Sequence, residues 1–345
     1  MPKKTDNKKS FSINQIEEPK NIKDVIYNLM ADPNLTPINY FNDFSEKGCE
    51  MENLSSDDTD ETGAFTTDDG QIMAMTTHAY NRHLEKDPKT ATEILISRAA
   101  RRMVCFGAKP IVVSAFLYHI SVADPNGQNI AAESKKGLEN ACKNFGLKVS
   151  DRKIRFDYSS EYGPIPPTLI ISMMGSVKNK EKVITRNLKT KGNNIFVIGE
   201  NNEDINSSEY LEFYHEISNS PFPVFNIKTE ARIQQVIPKL IDENLITSAS
   251  PVGKGGLFFS LLRAAMPSEL GFDITTDAEI RIDSFLFGEA MGRIIVGVPE
   301  KNIDKFIDVM RESKIPFFIL GHTTKGEIRI DDESYGFIDK MISKK

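Results

Sequence analysis

"SASPVGKGGLFFSLLRAAM", residues 248–266, is a glycine turn that opens onto an apolar helix-forming run. Such a turn exposes backbone N–H groups at the positive end of a helix dipole, a setting that suits phosphate. The same Gly255-Gly256 pair also serves as a close-packing turn that binds nothing. The G-x-x-x-x-G-K-[ST] order of a P-loop is absent, and so is a Rossmann fingerprint. Pro251 and Lys254 stand where a metal–phosphate site wants carboxylates. Lys254 has two readings: a point cation that meets a phosphate, or a solvated side chain.

Outward from this turn the chain alternates strands and helices. Residues 1–20 are polar and lysine-rich (Lys3, Lys4, Lys8, Lys9) and are expected to be a flexible arm, dispensable for folding. Ile22, Val25, Ile26 and Leu29 have helical spacing, stopped by Pro33. The acidic, turn-rich run 55–71 reads as a loop entering a short strand, and "IMAMTT" (72–77) as a buried strand. A helix ending at Gly107, a strand, a helix ending at Gly146 and the strand "PTLIISMMGSV" follow. Composition shifts near residue 180, through a basic linker into a strand and the helix-and-loop run of 229–250. "RIIVGV", the helix over 302–314 and "PFFILGHTT" complete a pattern of helices layered on an open sheet. The expected organisation is α/β, layered as α+β: an arm over 1–20, a first domain over 21–178 and a second over 179–345.

The 345 residues suffice for two domains with ample cores, and 27% charged with 39% hydrophobic residues is ordinary globular usage. The net charge of −6 argues against a general nucleic-acid binder. "SRAARR" (97–102), without interleaved aromatics, reads as a solvated helix face. Cys49, Cys105 and Cys142, at no metal-ligand spacing, suggest reduced thiols in a cytoplasmic protein. The basic start is followed by no apolar h-region, and no window is long and apolar enough for a membrane span. The five histidines form no HxxxH pair, so structural zinc is not expected.

Five segments carry a resemblance. "SASPVGKGGL" resembles the S-A-H-D-V-S-D-G-G-L stretch of phosphoribosylformylglycinamidine synthases, the amidotransferase-ligases of purine synthesis. "NSSEYLEFY" resembles their G-G-S-E-Y-L segment, and "LFGEAMGR" their L-F-G-E-S-x-x-R segment. "ATEILISRAARRMVCFGAKP" is similar to their A-V-A-E-A-x-R-N-V-x-x-x-G-A-x-P helix and strand, and "YGPIPPTLIISMMGSV" to their I-P-T-P-V-I-G-M-V-G strand. They occur in family order over residues 25–325 and match the second repeated half of the large synthase best. The superfamily also contains aminoimidazole ribonucleotide synthase.

The resemblance implies the two-domain aminoimidazole ribonucleotide synthase-like fold, with the first-domain sheet pairing across a two-fold axis. The partner would be a second copy or a first-half-like synthase chain. It implies an ATP-dependent carbon–nitrogen ligase, or ligase subunit, in which ATP phosphorylates an amide oxygen and ammonia displaces the phosphate. Carried over residue by residue, Asn81, Lys109, Lys254, Gly255 and Gly256 would bind ATP or ADP, and Asp60 would bind Mg²⁺. No catalytic residue is singled out. The departures are Ser250, Pro251 and Lys254 for the family's His and two Asp, and His78 for another Asp. A second repeat and a glutaminase domain are absent from the sequence. These losses favour an alternative, a non-catalytic paralogue that binds or scaffolds. Asp57, Asp58, Asp60 and Glu61 also read as a solvated acidic turn. His78 reads as a general base or as a hydrogen-bonded structural histidine. Glu289 and Arg293 read as an i,i+4 helix pair or as cleft residues.

Overall fold

The computed structural model describes residues 12–32, 34–35, 62–80, 82–119, 125–155, 159–160, 163–164, 166–218 and 220–342. The first sheet uses β1 (Thr62–Thr66), β2 (Ile72–Tyr80), β3 (Ala108–Tyr118) and β4 (Lys148–Arg155). A two-residue-strand hairpin, β5 (Ser159–Ser160) and β6 (Gly163–Pro164), precedes β7 (Thr168–Val177). The sheet order is β1-β2-β7-β3-β4. The helices Pro88–Cys105 and Pro125–Phe145 cover one of its faces. The first begins where the Asp87 side chain accepts from the Thr90 N–H beside Pro88, and the second stops at Gly146 with φ +68°.

Because helices cover only one face, burial alternates along these strands: β7 is buried at every second residue. The stretch 72–77, expected as a buried strand, therefore alternates as well, and Met75 is 48% exposed. Across the open face Met75 lies opposite Met174, which lies opposite Val112; four residues along β7, Ile170 lies opposite Phe116.

The second sheet contains β8 (Asn194–Ile198), β9 (Ser248–Pro251), β10 (Gly271–Ile274), β11 (Ile294–Val298), β12 (Phe317–Thr324), β13 (Glu327–Ile330) and β14 (Glu333–Phe337). Their order is β14-β13-β10-β12-β8-β11-β9. Both faces are covered, so β11 is buried throughout. In β8, Ile195 and Val197 point into a core with the helices Gly256–Ala265 and Ile282–Phe287. Phe196 and Ile198 point into the opposite core, against the helices Ile227–Asp242 and Ile303–Ser313. The expected α/β layering is what the chain adopts.

The N-terminal stretch departs from expectation. Ile13 and Ile16, counted with the arm, are 4% and 9% exposed in the second sheet's core. Arg281 Nη1 donates to the carbonyls of Ile13 and Ile16 at 3.0 and 3.1 Å. The helix Ile22–Leu29, expected in the first domain, buries Val25, Ile26 and Leu29 in that same second core. Three-residue spacing of two isoleucines drives this docking, a signal masked by the lysines before them. Those lysines and Pro33 lie outside the described residues. Among the described residues no helix is long and apolar enough to cross a membrane.

Candidate functional site

The glycine turn is built for close packing. Gly255 and Gly256 have φ +76° and +70°. A Cβ on Gly255 would lie 2.8 Å from Leu35 and Phe259; one on Gly256 would lie 2.6 Å from the Phe287 carbonyl carbon. Neither a left-handed backbone nor such contacts tolerate a side chain. The amides of the turn have internal acceptors: Gly253 N–H donates to Ser260 Oγ at 3.2 Å, and Gly256 N–H to the Gly253 carbonyl at 3.0 Å. Gly255 N–H donates to Glu289 Oε1 at 2.9 Å, and Glu209 N–H donates to the same oxygen at 2.8 Å. A carboxylate of the chain thus sits where an anion would sit.

Glu289 is buried, and desolvation holds its carboxyl above the ordinary carboxylate range against the two amides that favour the charged form. The helix Ile282–Phe287 ends before it, so Glu289 and Arg293 are not an i,i+4 helix pair. Arg293 is fully buried and donates through Nη2 to the Gly288 carbonyl. Burial lowers its pKa to about 10.

Next to Glu289 lies a second buried acid. The Glu209 side chain is 2% exposed, and its Oε1 pairs with Arg82 at 3.1 Å and Lys254 at 3.4 Å. Lys254 also donates to Asn34 Oδ1 at 3.1 Å. Neither earlier reading of Lys254 foresaw this: it is a counter-ion of a buried glutamate. Asp32 stands beside the pair, and its carboxyl is raised chiefly by desolvation, with Glu209 adding to the effect.

Arg82 leads from this cluster into a cleft of about 200 Å³. Its Nη1 donates to the Ser207 carbonyl at 2.9 Å, and its Nη2 also pairs with Glu212. His83 Nε2 meets Ser207 Oγ, which donates to the Pro221 carbonyl at 2.9 Å. That commits the hydroxyl proton, so His83 Nε2 carries the hydrogen and donates. His83 and Ser207 both have left-handed backbones, φ 60° and 56°, at a cost of about 1–2 kcal/mol each. Burial, then Lys86 and Arg82, push the His83 pKa down to about 4, so the ring is neutral at pH 7. Lys86 and Ser218 add a cation and a hydroxyl to the lining, while the buried Ser208 hydroxyl is committed to the Ile205 carbonyl at 2.6 Å. Glu85 and Glu212 line the opening too, so its charges are balanced as folded, and Arg82 and Lys86 can meet an anionic phosphate-like group where that group displaces an acid.

The expected nucleotide residues do not assemble as one set. Lys254, Gly255 and Gly256 are together. Lys109 is the second residue of β3, opposite Ser176 of β7, at the end of the first sheet remote from Arg82. Asn81 and Asp60 lie outside the described residues, as do Asp57, Asp58 and Glu61. His78, in β2, bonds through Nε2 to Thr76 Oγ1 at 3.0 Å. Among the described residues no group of three His, Cys, Asp or Glu side chains is placed to hold a metal ion. Sequence reasoning passed over Arg82, His83, Glu209 and Glu289 as a set. The available signals were the acid in "SSEYL", the acid in "LFGE" and the basic pair after Asn81.

Residues 59–177 match the family model described as AIR synthase related protein, N-terminal domain, and residues 190–332 match the C-terminal domain model of that name. The chain is similar to the PurL subunit of phosphoribosylformylglycinamidine synthase from Alkaliphilus metalliredigens, with 27% identity over 320 residues, 93% of this chain and 43% of that one. The chain thus spans less than half the length of this curated relative. In fold it is similar to T. maritima PurL complexed with FGAR, with TM-score 0.75 and 13% identity, covering 94% of this chain and 54% of that one. It is also similar to T. maritima PurL complexed with ATP, with TM-score 0.64 and 13% identity, over 81% of this chain and 46% of that one.

Proposed function

Because the chain belongs to the AIR synthase related protein family, matched in both its domains, we propose that it is a PurL-like, ATP-dependent carbon–nitrogen ligase, or a subunit of one, in purine biosynthesis. The observation that carries the reading is the cleft that brings Arg82 and Lys86 beside Ser207 and Ser218, with Glu85 and Glu212 also in its wall, on a fold similar to that of a PurL complexed with ATP. The aligned stretch covers 43% of the Alkaliphilus metalliredigens relative, and in this reading the chain works beside a partner half: a second copy or a first-half-like synthase chain. The apolar open face of the first sheet, around Met75, Met174 and Phe116, supports pairing there with a second copy. Cys105 and Cys142 form no disulfide among the described residues, in keeping with a cytoplasmic setting.

The substrate class is a nucleotide and a small phosphorylated amide such as FGAR. ATP phosphorylates the amide oxygen and ammonia displaces the phosphate, so the protein's task is positioning and electrostatic stabilisation. Arg82 exchanges its exposed partner Glu212 for a phosphate oxygen while Glu209 keeps the guanidinium in place. His83, neutral and donating to Ser207, fixes that loop without adding charge. Magnesium, implied through Asp60, does not fit the described donors: they offer no three-ligand group, and Pro251 and Lys254 replace the loop's acids. In this reading the phosphate charge falls to Arg82 and Lys86.

One observation favours the second reading, a non-catalytic paralogue. The glycine-turn amides are already bonded, one of them to Glu289, so the turn as folded has no free donor at Gly253, Gly255 or Gly256 for a phosphate. Calorimetric titration with ATP, in EDTA and in Mg²⁺, separates the two. The ligase reading expects binding of similar affinity in both, weakened about tenfold or more by Arg82→Ala, since a charged hydrogen bond is worth about 1.5–3 kcal/mol. Lys254→Ala changes it little. Absence of binding in both buffers rejects the ligase reading and leaves the scaffold one.

A further inference from the structure

A larger opening lies away from that cleft. It has a volume of about 550 Å³, within the range of small-molecule sites. It sits between the helix Pro88–Cys105, the start of β3, the end of the helix Pro125–Phe145 and the helix Ile227–Asp242. Ala108, which lines it, pairs with Val177; the opposite end of the same ladder pairs Tyr118 with Thr168, next to the cleft residues Pro166 and Pro167. Ten residues of strand separate the two ends, roughly 30 Å.

We infer that this groove binds a small organic anion with an apolar or aromatic body, at a site separate from the Arg82 cleft. The walls give the body its place. Ala100, Ala108 and Ala231 keep side-chain volume out of the groove, while Val104, Phe145 and Pro238 supply apolar surface. The rim gives the charge. Lys109, Lys178 and Lys182 face a single acid, Asp242, on a chain whose net charge is −6. Lys182 is committed: its Nζ donates to the Asp242 carbonyl and to Asn244 Oδ1, each at 2.9 Å, and to the Ile241 carbonyl at 3.2 Å. That closes the C-terminal end of the helix Ile227–Asp242 and fixes the wall. Lys178 is only loosely paired with Asp242, at 3.9 Å. The Lys109 ammonium has no hydrogen-bond or ion-pair partner among the described residues. The rim therefore holds one unpartnered and one weakly held ammonium over an apolar floor, and low-dielectric walls concentrate their field. Asn144, Ser176 and Gln235 offer further polar contacts at the rim.

This inference does not depend on the ligase reading, and its test leaves the Arg82 cleft intact. The probe is 1-anilinonaphthalene-8-sulfonate, an aromatic body with one anionic head, followed by fluorescence. Lys109→Glu weakens its binding about fivefold or more, the effect of reversing one nearby charge. Gln235→Trp, which fills the groove from an exposed position, does the same, and both variants melt with the wild type. Met75→Asp, on the open sheet face, leaves the titration unchanged. Phenyl phosphate displaces the dye and phenol does not. Wild-type dye affinity in both groove variants overturns the inference. So does loss of binding in Met75→Asp alone, or equal displacement by phenol.

Discussion

Replacing Glu289 by Ala removes one acceptor from two N–H groups at once, those of Glu209 and Gly255. Each orphaned buried donor costs about 1–3 kcal/mol, so the pair costs roughly 2–6 kcal/mol. Part of that is offset, because the carboxylate is itself unfavourably buried beside Glu209, as its raised pKa records. A net loss of about 2–4 kcal/mol is expected, or roughly 3–6 °C in melting temperature for a chain of this size. Glu289→Gln keeps an oxygen in place for both amides and removes only the charge, so its loss stays within about 1.5 kcal/mol. Urea unfolding followed by circular dichroism measures both, with the slope expected to be unchanged. The reasoning fails if the Ala variant unfolds within about 0.5 kcal/mol of wild type, or if Gln costs as much as Ala.

Three further outcomes follow from the geometry. His83, with its pKa lowered from 6.5 to about 4, binds fewer protons folded than unfolded in that interval, so its stability contribution is full above pH 6.5 and is lost as pH falls toward 4. The melting temperature of His83→Gln should therefore fall less than wild type between about pH 7 and pH 5; equal falls would exclude the assignment. Ile13→Ala with Ile16→Ala should cost roughly 3–6 kcal/mol, as two buried isoleucines are cut back, and an unchanged melt would show that the docking of this stretch contributes nothing. Light scattering at micromolar concentration should give twice the chain mass for wild type and the chain mass for Met75→Asp, while a monomeric wild type would count against pairing through the open sheet face.

Much of the fold was legible because its signals are local. Gly107 and Gly146 mark the ends of two helices at a left-handed backbone, and "RIIVGV" is apolar throughout because both of its faces are covered. The stretch around Ile13 was misread because its composition is dominated by neighbours that do not share its packing. The site was less legible because it is assembled across the chain. Lys254 finds Glu209 and Asn34, and no spacing rule links those three positions. The resemblance groups Lys109 with the turn's glycines as nucleotide residues, yet it stands at the far end of the long β3–β7 ladder. Gly255 and Gly256 could be read as a phosphate loop or a packing turn, and only the contacts of Leu35, Phe259 and Phe287 distinguish the two in space.

The shared oxygen of Glu289 also orders events in time. It closes one loop of 34 residues to Gly255 and another of 80 residues to Glu209. The longer closure carries roughly 0.8 kcal/mol more chain entropy cost. The Gly255 contact therefore forms with less search, and the "SSEYL" segment joins a turn that already has its carboxylate. A nascent chain ending short of residue 289 has the helix Gly256–Ala265 but not the acceptor that completes the turn before it. Contacts of such separation slow folding, and the Arg82 cleft, which borrows Glu209 from this arrangement, rests on both closures.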